Sequence, residues 1–299
     1  MSLKVILSSI LVLVLASLVV FYFVPFNNLH FESNINPNFS LIGGENMQFY
    51  PNMRFQTTEI SYQISDCPLQ KKNDMEYAFD ILENLTALNF YPVLRDEDIS
   101  ITCENKQRVE DGLFIAGEGG PTNVTSIGEF NIIFNGEILL IRDSKCTTPN
   151  IALHELLHVL GFDHSTNPEN IMYSVTSCEE VIGDDLLNTL NALYAIPSYP
   201  DLIFQNVSAS LSGKFLDINI TIGNVGLNDA PASEIIIYSN SSIIKEFDLK
   251  PIDMGYGRIA LFQNIFVPNS NINKLEIVIN SEFNEISKEN NKIELNVQD

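Results

Sequence analysis

The chain has 299 residues, room for one large domain or two of ordinary size, and 45% hydrophobic against 18% charged residues excludes a mainly disordered polypeptide. With 16 Lys+Arg against 38 Asp+Glu the formal net charge is −22, which repels phosphate backbones and excludes nucleic acid as a partner. Most of the acidic residues precede Ser198; solubility accounts for them, and calcium is the cofactor class they would suit.

In chain order, residues 1–4 precede a run from Val5 to Val24 that carries no charge. As a helix such a run covers about 30 Å, the thickness of a bilayer core. Phe21-Tyr22-Phe23-Val24-Pro25-Phe26 offers no small-residue cleavage site, so an uncleaved transmembrane helix over 5–24 is expected, with a removed signal and secretion as the alternative. Lys4 and the amino terminus are the flanking positive charges, which places residues 1–4 in the cytoplasm and everything after the helix outside the cell membrane. Residues 25–48 are rich in Asn and Pro and read as a stalk.

Export agrees with the cysteines. Cys67, Cys103, Cys146 and Cys178 form an even set without CxxC spacing, which favours disulfides over a cysteine metal site. Four cysteines allow three pairings, and the sequential one, Cys67 with Cys103 and Cys146 with Cys178, is expected. Each bridge closes a loop of roughly 30 residues and is worth about 3–4 kcal/mol in the chain-entropy picture. Sequons at Asn38, Asn84, Asn123, Asn206, Asn219 and Asn240 fit an exported chain.

A folded domain is expected over 49–197. It begins with a strand over 59–65 and a helix over 71–88 that puts Met75, Phe79, Leu82 and Leu85 on one face. Strands are expected over 98–102 and 112–116, and a hairpin with strands 130–134 and 137–141 about the turn dipeptide Asn135-Gly136. Two prolines in Ile196-Pro197-Ser198-Tyr199-Pro200 then separate this pattern from a purely strand-like one over 198–299.

Three of the four histidines fall within His154-Glu155-Leu156-Leu157-His158-Val159-Leu160-Gly161-Phe162-Asp163-His164, an HExxHxxGxxH motif. Thr148 and Pro149 can start a helix and Gly161 can end it, so that His154 and His158 share a face four residues apart. Positive φ at Gly161 would turn the chain sharply and return His164 as a third nitrogen ligand. Three protein ligands leave a tetrahedral zinc one position for water, and Glu155 beside the first ligand is placed to act as general base.

These residues, with Ser165 after the third histidine and Asn170-Ile171-Met172-Tyr173 beyond it, resemble the matrixin branch of the metzincin zinc metalloproteases. The resemblance covers about 50–195 and implies an α+β catalytic domain: a twisted sheet with helices, Met172 as the apolar floor of a Met-turn, one catalytic Zn2+, and protein or peptide substrates. It also implies that an extended substrate pairs with an edge strand above the zinc, matched here to Gly112, Leu113, Phe114, Ile115 and Ala116. No PRCGxPD-like segment is found, which speaks against latency through a thiol, and Ser174 replaces the proline that often follows Met-Tyr.

In the last hundred residues Leu216, Ile218, Ile220 and Ile222 alternate with Asp217, Asn219 and Thr221, the signature of an all-β sandwich. Asp201-Leu202, Gly223-Asn224-Val225-Gly226 and Glu285 through Asn291 resemble a CARDB-type Ig-like module, a spacer or a site for a cell-surface partner. The expectation for the whole is a membrane-anchored, outward-facing zinc endopeptidase. The alternative is an adhesion protein with a silent protease domain, against which the presence of Glu155 speaks.

Overall fold

The computed structural model describes residues 3–23, 28–32, 47–105, 108–110, 113–267, 272 and 274–298. The chain divides into two compact units, Phe39–Tyr199, and Met1–Asn38 together with Pro200–Asp299. The first elements are helix α1 (Leu3–Phe23) and strand β1 (Asn28–Glu32). Side chains of α1 are described over 5–17 and are exposed, and among the described residues no helix is long and apolar enough to cross a membrane.

The unit Phe39–Tyr199 contains β2 (Met53–Phe55), β3 (Glu59–Ile64), α2 (Leu69–Leu85), β4 (Asn89–Pro92), β5 (Ile99–Cys103), β6 (Val109–Glu110), β7 (Leu113–Phe114), β8 (Gly117–Ile127), β9 (Phe130–Leu140), α3 (Asn150–Val159) and α4 (Asp184–Ala195). β9 is the spine of its sheet: β2 and β5 pair with it in parallel, β3 and β4 continue outward from β5, and β8 alone runs antiparallel. Helix α2 buries Met75, Phe79 and Leu82 as the 3.6-residue period requires. It stops at Leu85 rather than 88, because extended Thr86 turns its N–H and hydroxyl back onto the Leu82 carbonyl, and Leu85 is left exposed. The disulfides are Cys67–Cys103 and Cys146–Cys178, the sequential pairing.

Two cationic side chains lie in this core. Lys71 donates through Nζ to the carbonyls of Glu104 and Ile141, at 2.8 and 2.9 Å. Arg54 reaches the carbonyls of Leu193 and Ile196 where α4 ends and stacks 4.5 Å over the Tyr194 ring. Unpaired carbonyls at a helix C-terminus attract a cation, which is why a guanidinium is tolerated there at 0% exposure.

The expected hairpin at Asn135-Gly136 is corrected. β9 passes through both residues without turning, and the turn lies at Gly128-Glu129, with Gly128 at φ +56°. Gly136 serves packing instead, since a Cβ there would stand 2.4 Å from Val159 Cγ1 of α3.

In the other unit the strands are β10 (Leu202–Ser212), β11 (Phe215–Asn224), β12 (Ser233–Ser239), β13 (Ser242–Leu249), β14 (Gly257–Phe266), β15 (Lys274–Asn280) and β16 (Lys292–Gln298). Leu216, Ile218, Ile220 and Ile222 all point inward, as their alternation requires. The pairing differs from that of a two-sheet sandwich, because the strands form one hydrogen-bonded sheet in the order β13-β12-β15-β16-β1-β10-β11-β14. β1 closes the gap by pairing antiparallel with both β10 and β16, so the stalk expected over 25–48 contains a sheet strand. Backbone groups carry that pairing, which is why the polar composition of the segment concealed it. The sheet curls about one core, and Phe247 of edge strand β13 stacks on Phe262 of edge strand β14 at 3.7 Å between centroids.

Candidate metal centre and cleft

Helix α3 begins at Asn150 with Pro149 as N-cap and no side-chain cap. Thr148 does not cap it; its hydroxyl donates to Asn150 Oδ1 at 2.6 Å, and Asn150 Nδ2 in turn donates to the carbonyls of Ser177 and Glu180. The helix ends as expected at Gly161, whose φ of +96° reverses the chain toward His164. A Cβ at Gly161 would stand 2.7 Å from Met53 Sδ, so the turn is also the point of closest packing against β2.

The three histidines meet. His158 Nε2 lies 3.0 Å from His154 Nε2 and 3.2 Å from His164 Nε2. Zinc–nitrogen bonds of about 2.0–2.1 Å at tetrahedral angles separate ligand nitrogens by about 3.3 Å, so the triad fits one zinc ion. The outer nitrogens are committed: His154 Nδ1 donates to the Ile171 carbonyl and His158 Nδ1 to the Phe162 carbonyl, each at 2.7 Å in the tautomer that leaves Nε2 as the lone-pair donor. Burial lowers the pKa of His154 to about 4 and that of His158 below its ordinary value, so both imidazoles are neutral and ready to ligate at neutral pH. Among the described residues this triad is the group of three His, Cys, Asp or Glu side chains placed to hold a metal, and the acidic residues expected to suit calcium form none.

Met172 lies in the turn that follows His164. Met172 is fully buried, its N–H donates to Asn170 Oδ1, and its carbonyl accepts from Ser165 N at 2.7 Å, which fastens the residue after His164 to the turn. Ile171, one position earlier, supplies the carbonyl that orients His154.

Glu155 is buried and lies against β8. A Cβ at Gly117 would stand 2.7 Å from its Cγ and Oε1, and one at Gly119 would stand 2.4 Å from its carbonyl oxygen. Burial, with the nearby charge of Glu118 adding to it, pushes the Glu155 pKa up to about 8. Histidines and glutamate open together onto a cavity of about 610 Å³ lined also by Ile115 to Gly119, Arg142 and Ser174 to Thr176.

Over 113–116, part of the segment expected to receive substrate, the chain is not one continuous strand, although Ile115 and Ala116 line the cavity. Gly112 lies outside the described residues, Leu113 and Phe114 form β7 and pair with Val109 and Glu110 in a separate two-stranded sheet, and Ile115 and Ala116 lie between strands. The strand that flanks the cleft is β8, beginning at Gly117. The strand nearest α3 must lack side chains where it crosses Glu155, so the run Gly117-Glu118-Gly119-Gly120 marks it.

A search of curated proteins finds no match to this chain. The family model for matrixin matches residues 54–195, the stretch that carries the sheet, the triad and the turn over 170–173.

Proposed function

We propose that the chain is an outward-facing, membrane-tethered zinc endopeptidase in which Glu155 is the general base. The observation that carries this reading is the convergence of three imidazole nitrogens beside a buried carboxylate, in a cleft flanked by an edge strand. Bound to His154, His158 and His164, zinc supplies a Lewis acid that lowers the pKa of water and stabilises negative charge on a carbonyl oxygen. The protein does the rest. Glu155 takes a proton from water as it adds to the scissile carbonyl, then returns that proton to the departing nitrogen. A divalent cation at the triad lowers the Glu155 pKa from its raised metal-free value, so the base form is available near neutrality.

Substrate binding follows from the sheet. β8 pairs with β9 along one edge, and an extended peptide adds to the other through main-chain bonds. Recognition of that kind suits flexible protein segments. Anchoring rests on the uncharged run from Val5 to Val24 with Lys4 before it, and the second unit serves as a spacer or recruits a cell-surface partner.

The test is zinc analysis of the full chain with cleavage of an unstructured protein before and after chelation. About one zinc per chain and chelator-sensitive peptide cleavage are expected; cleavage that persists without metal would overturn the reading. For the anchor, protease added to intact cells should digest the catalytic unit while the mature protein keeps residues 5–24.

A further inference from the structure

Residues 47–49 precede the stretch that the matrixin model matches, and none of them belongs to the HExxHxxGxxH motif. They nevertheless grip the turn that carries the third ligand. Asp163 N donates to the Met47 carbonyl at 2.8 Å, Phe49 N donates to the Gly161 carbonyl at 3.0 Å, and Gln48 and Phe162 form an antiparallel bridge between those two bonds. Phe162 is the residue whose carbonyl accepts from His158 Nδ1. The Phe49 ring also lies over the His158 imidazole, with centroids 5.8 Å apart and planes 22° from parallel. The grip is itself held, because the Gln48 side chain donates to the Met53 carbonyl at 2.7 Å and accepts from Met53 N at 3.2 Å, closing residues 48–53 into a loop whose Met53 packs against Gly161.

We propose that Met47-Gln48-Phe49 is a positioning strand of the metal centre, setting the ring orientation of His158 and the return path of His164. The inference rests on the zinc reading of the triad. The physical need for such a brace is local: Gly161 gives the turn its sharpness but also its freedom, and His164 beyond it is exposed. Two backbone hydrogen bonds convert that free turn into a fixed one, and the aromatic face limits rotation of His158. Loss of a partner that orients a metal ligand lowers metal affinity by about 10- to 100-fold. Phe49 is therefore a positioning residue that acts through His158 and takes no part in proton transfer.

The experiment uses the full chain with Phe49→Ala, Gln48→Ala and Phe49→Tyr. Zinc retention is titrated against a competing chelator, the absorption of the cobalt(II)-substituted protein is recorded, and the thermal midpoint of the metal-free protein is measured alongside. Both alanine variants should release zinc at roughly tenfold lower chelator concentration and show an altered cobalt spectrum, with the metal-free midpoint unmoved. Phe49→Tyr, which keeps the ring, should restore both. Wild-type zinc retention and cobalt spectrum in the two alanine variants would overturn the proposal. So would zinc loss that only follows a lowered metal-free midpoint and is not restored by tyrosine. Peptide cleavage by the unsubstituted protein is scored separately, so failure of the protease reading is distinguishable from failure of the brace.

Discussion

Gly119 lies against the backbone of Glu155, so closely that a Cβ at 119 would stand 2.4 Å from the Glu155 carbonyl oxygen and 2.9 Å from its Cα. The edge strand and the active-site helix touch because one of them has no side chain at the crossing. A backbone neighbour cannot swing aside, so Gly119→Ala must push β8 away from α3. The expected cost is about 1–3 kcal/mol, with a fall in kcat/KM for peptide substrates as the strand that would receive them shifts. Gly120, where a Cβ meets nothing within 4 Å, is the control: Gly120→Ala should stay within about 0.5 kcal/mol of the wild type. Urea denaturation of both variants checks this, and equal stability of the two would refute the close crossing.

Glu155 yields two separable expectations. As the base, Glu155→Gln should keep zinc and lose turnover by roughly 10²- to 10⁴-fold. As a buried carboxyl whose folded pKa is raised to about 8, it should also make the metal-free domain less stable as pH rises from the unfolded value near 4.5 toward 8, because the folded state holds the proton longer than the unfolded chain does. Glu155→Gln removes that dependence. The metal-free variant should exceed the wild type by on the order of 2 kcal/mol at pH 7.5 and by little at pH 5. His154 acts oppositely. Its folded pKa of about 4 lies below the ordinary 6.5, so its contribution is lost as pH falls through that window in both proteins, and it cancels from the comparison. Thermal melts of the two apoproteins at both pH values decide the matter; an equal difference at each would rule out burial as the source of the shift.

The histidine triad was legible because metal chemistry fixes residue types at fixed spacing: two histidines one turn apart, a glycine for the reversal, a third histidine beyond it. The disulfides and the inward faces of α2 and β11 were legible for a similar reason, since pairing number and side-chain period are sequence properties. What stayed hidden is carried by backbone atoms. The carbonyls of Ile171 and Phe162 that hold the ligand tautomers have no residue type attached, nor does the pairing of Asn28–Glu32 between two strands far away in sequence. The glycines misled in both directions. Asn135-Gly136 carried a turn signal and lies inside a strand because Val159 needs the space, while Gly117-Glu118-Gly119-Gly120 carried little strand signal and forms the wall of the cleft.

Arg54 offers a test of the core beneath the sheet. Its guanidinium pairs with the carbonyls of Leu193, Ile196, Phe55 and Gln56 and has no carboxylate among the bonds it makes. Arg54→Met fills similar volume but leaves the α4 carbonyls buried without a donor, at a cost of about 3 kcal/mol. Arg54→Lys keeps charge without the planar fork and should recover only part of the loss. Chemical denaturation of the unit Phe39–Tyr199 within the full chain measures both, and a methionine variant as stable as wild type would show that water satisfies those carbonyls instead.

The Cys146–Cys178 bridge closes the segment that holds α3 and the Met-turn. Cys146 lies ahead of Asn150, the first residue of α3, and Asn150 Nδ2 donates at 2.7 Å to the carbonyl of Ser177, the residue beside Cys178. Disulfide and amide together tie the start of the ligand helix to the loop that follows Met172, so the carbonyl of Ile171 stays in reach of His154. Reduction, or Cys146→Ser, should therefore destabilise this domain by roughly 2–4 kcal/mol and weaken zinc retention, with the strands of the other unit unaffected because neither cysteine lies in it. Asn150→Ala in the oxidised protein should produce a smaller loss of about 1–2 kcal/mol by removing the amide tie alone. Because the two ties share one loop, the double variant should lose less than the sum of the single losses if both ties are needed to fix the loop, and more if each compensates for the other. Hydrogen exchange at the α3 amides, followed with and without reductant, reads this directly: faster exchange at the first turn of α3 is expected, and unchanged protection there would show that the bridge holds nothing the rest of the fold does not already hold.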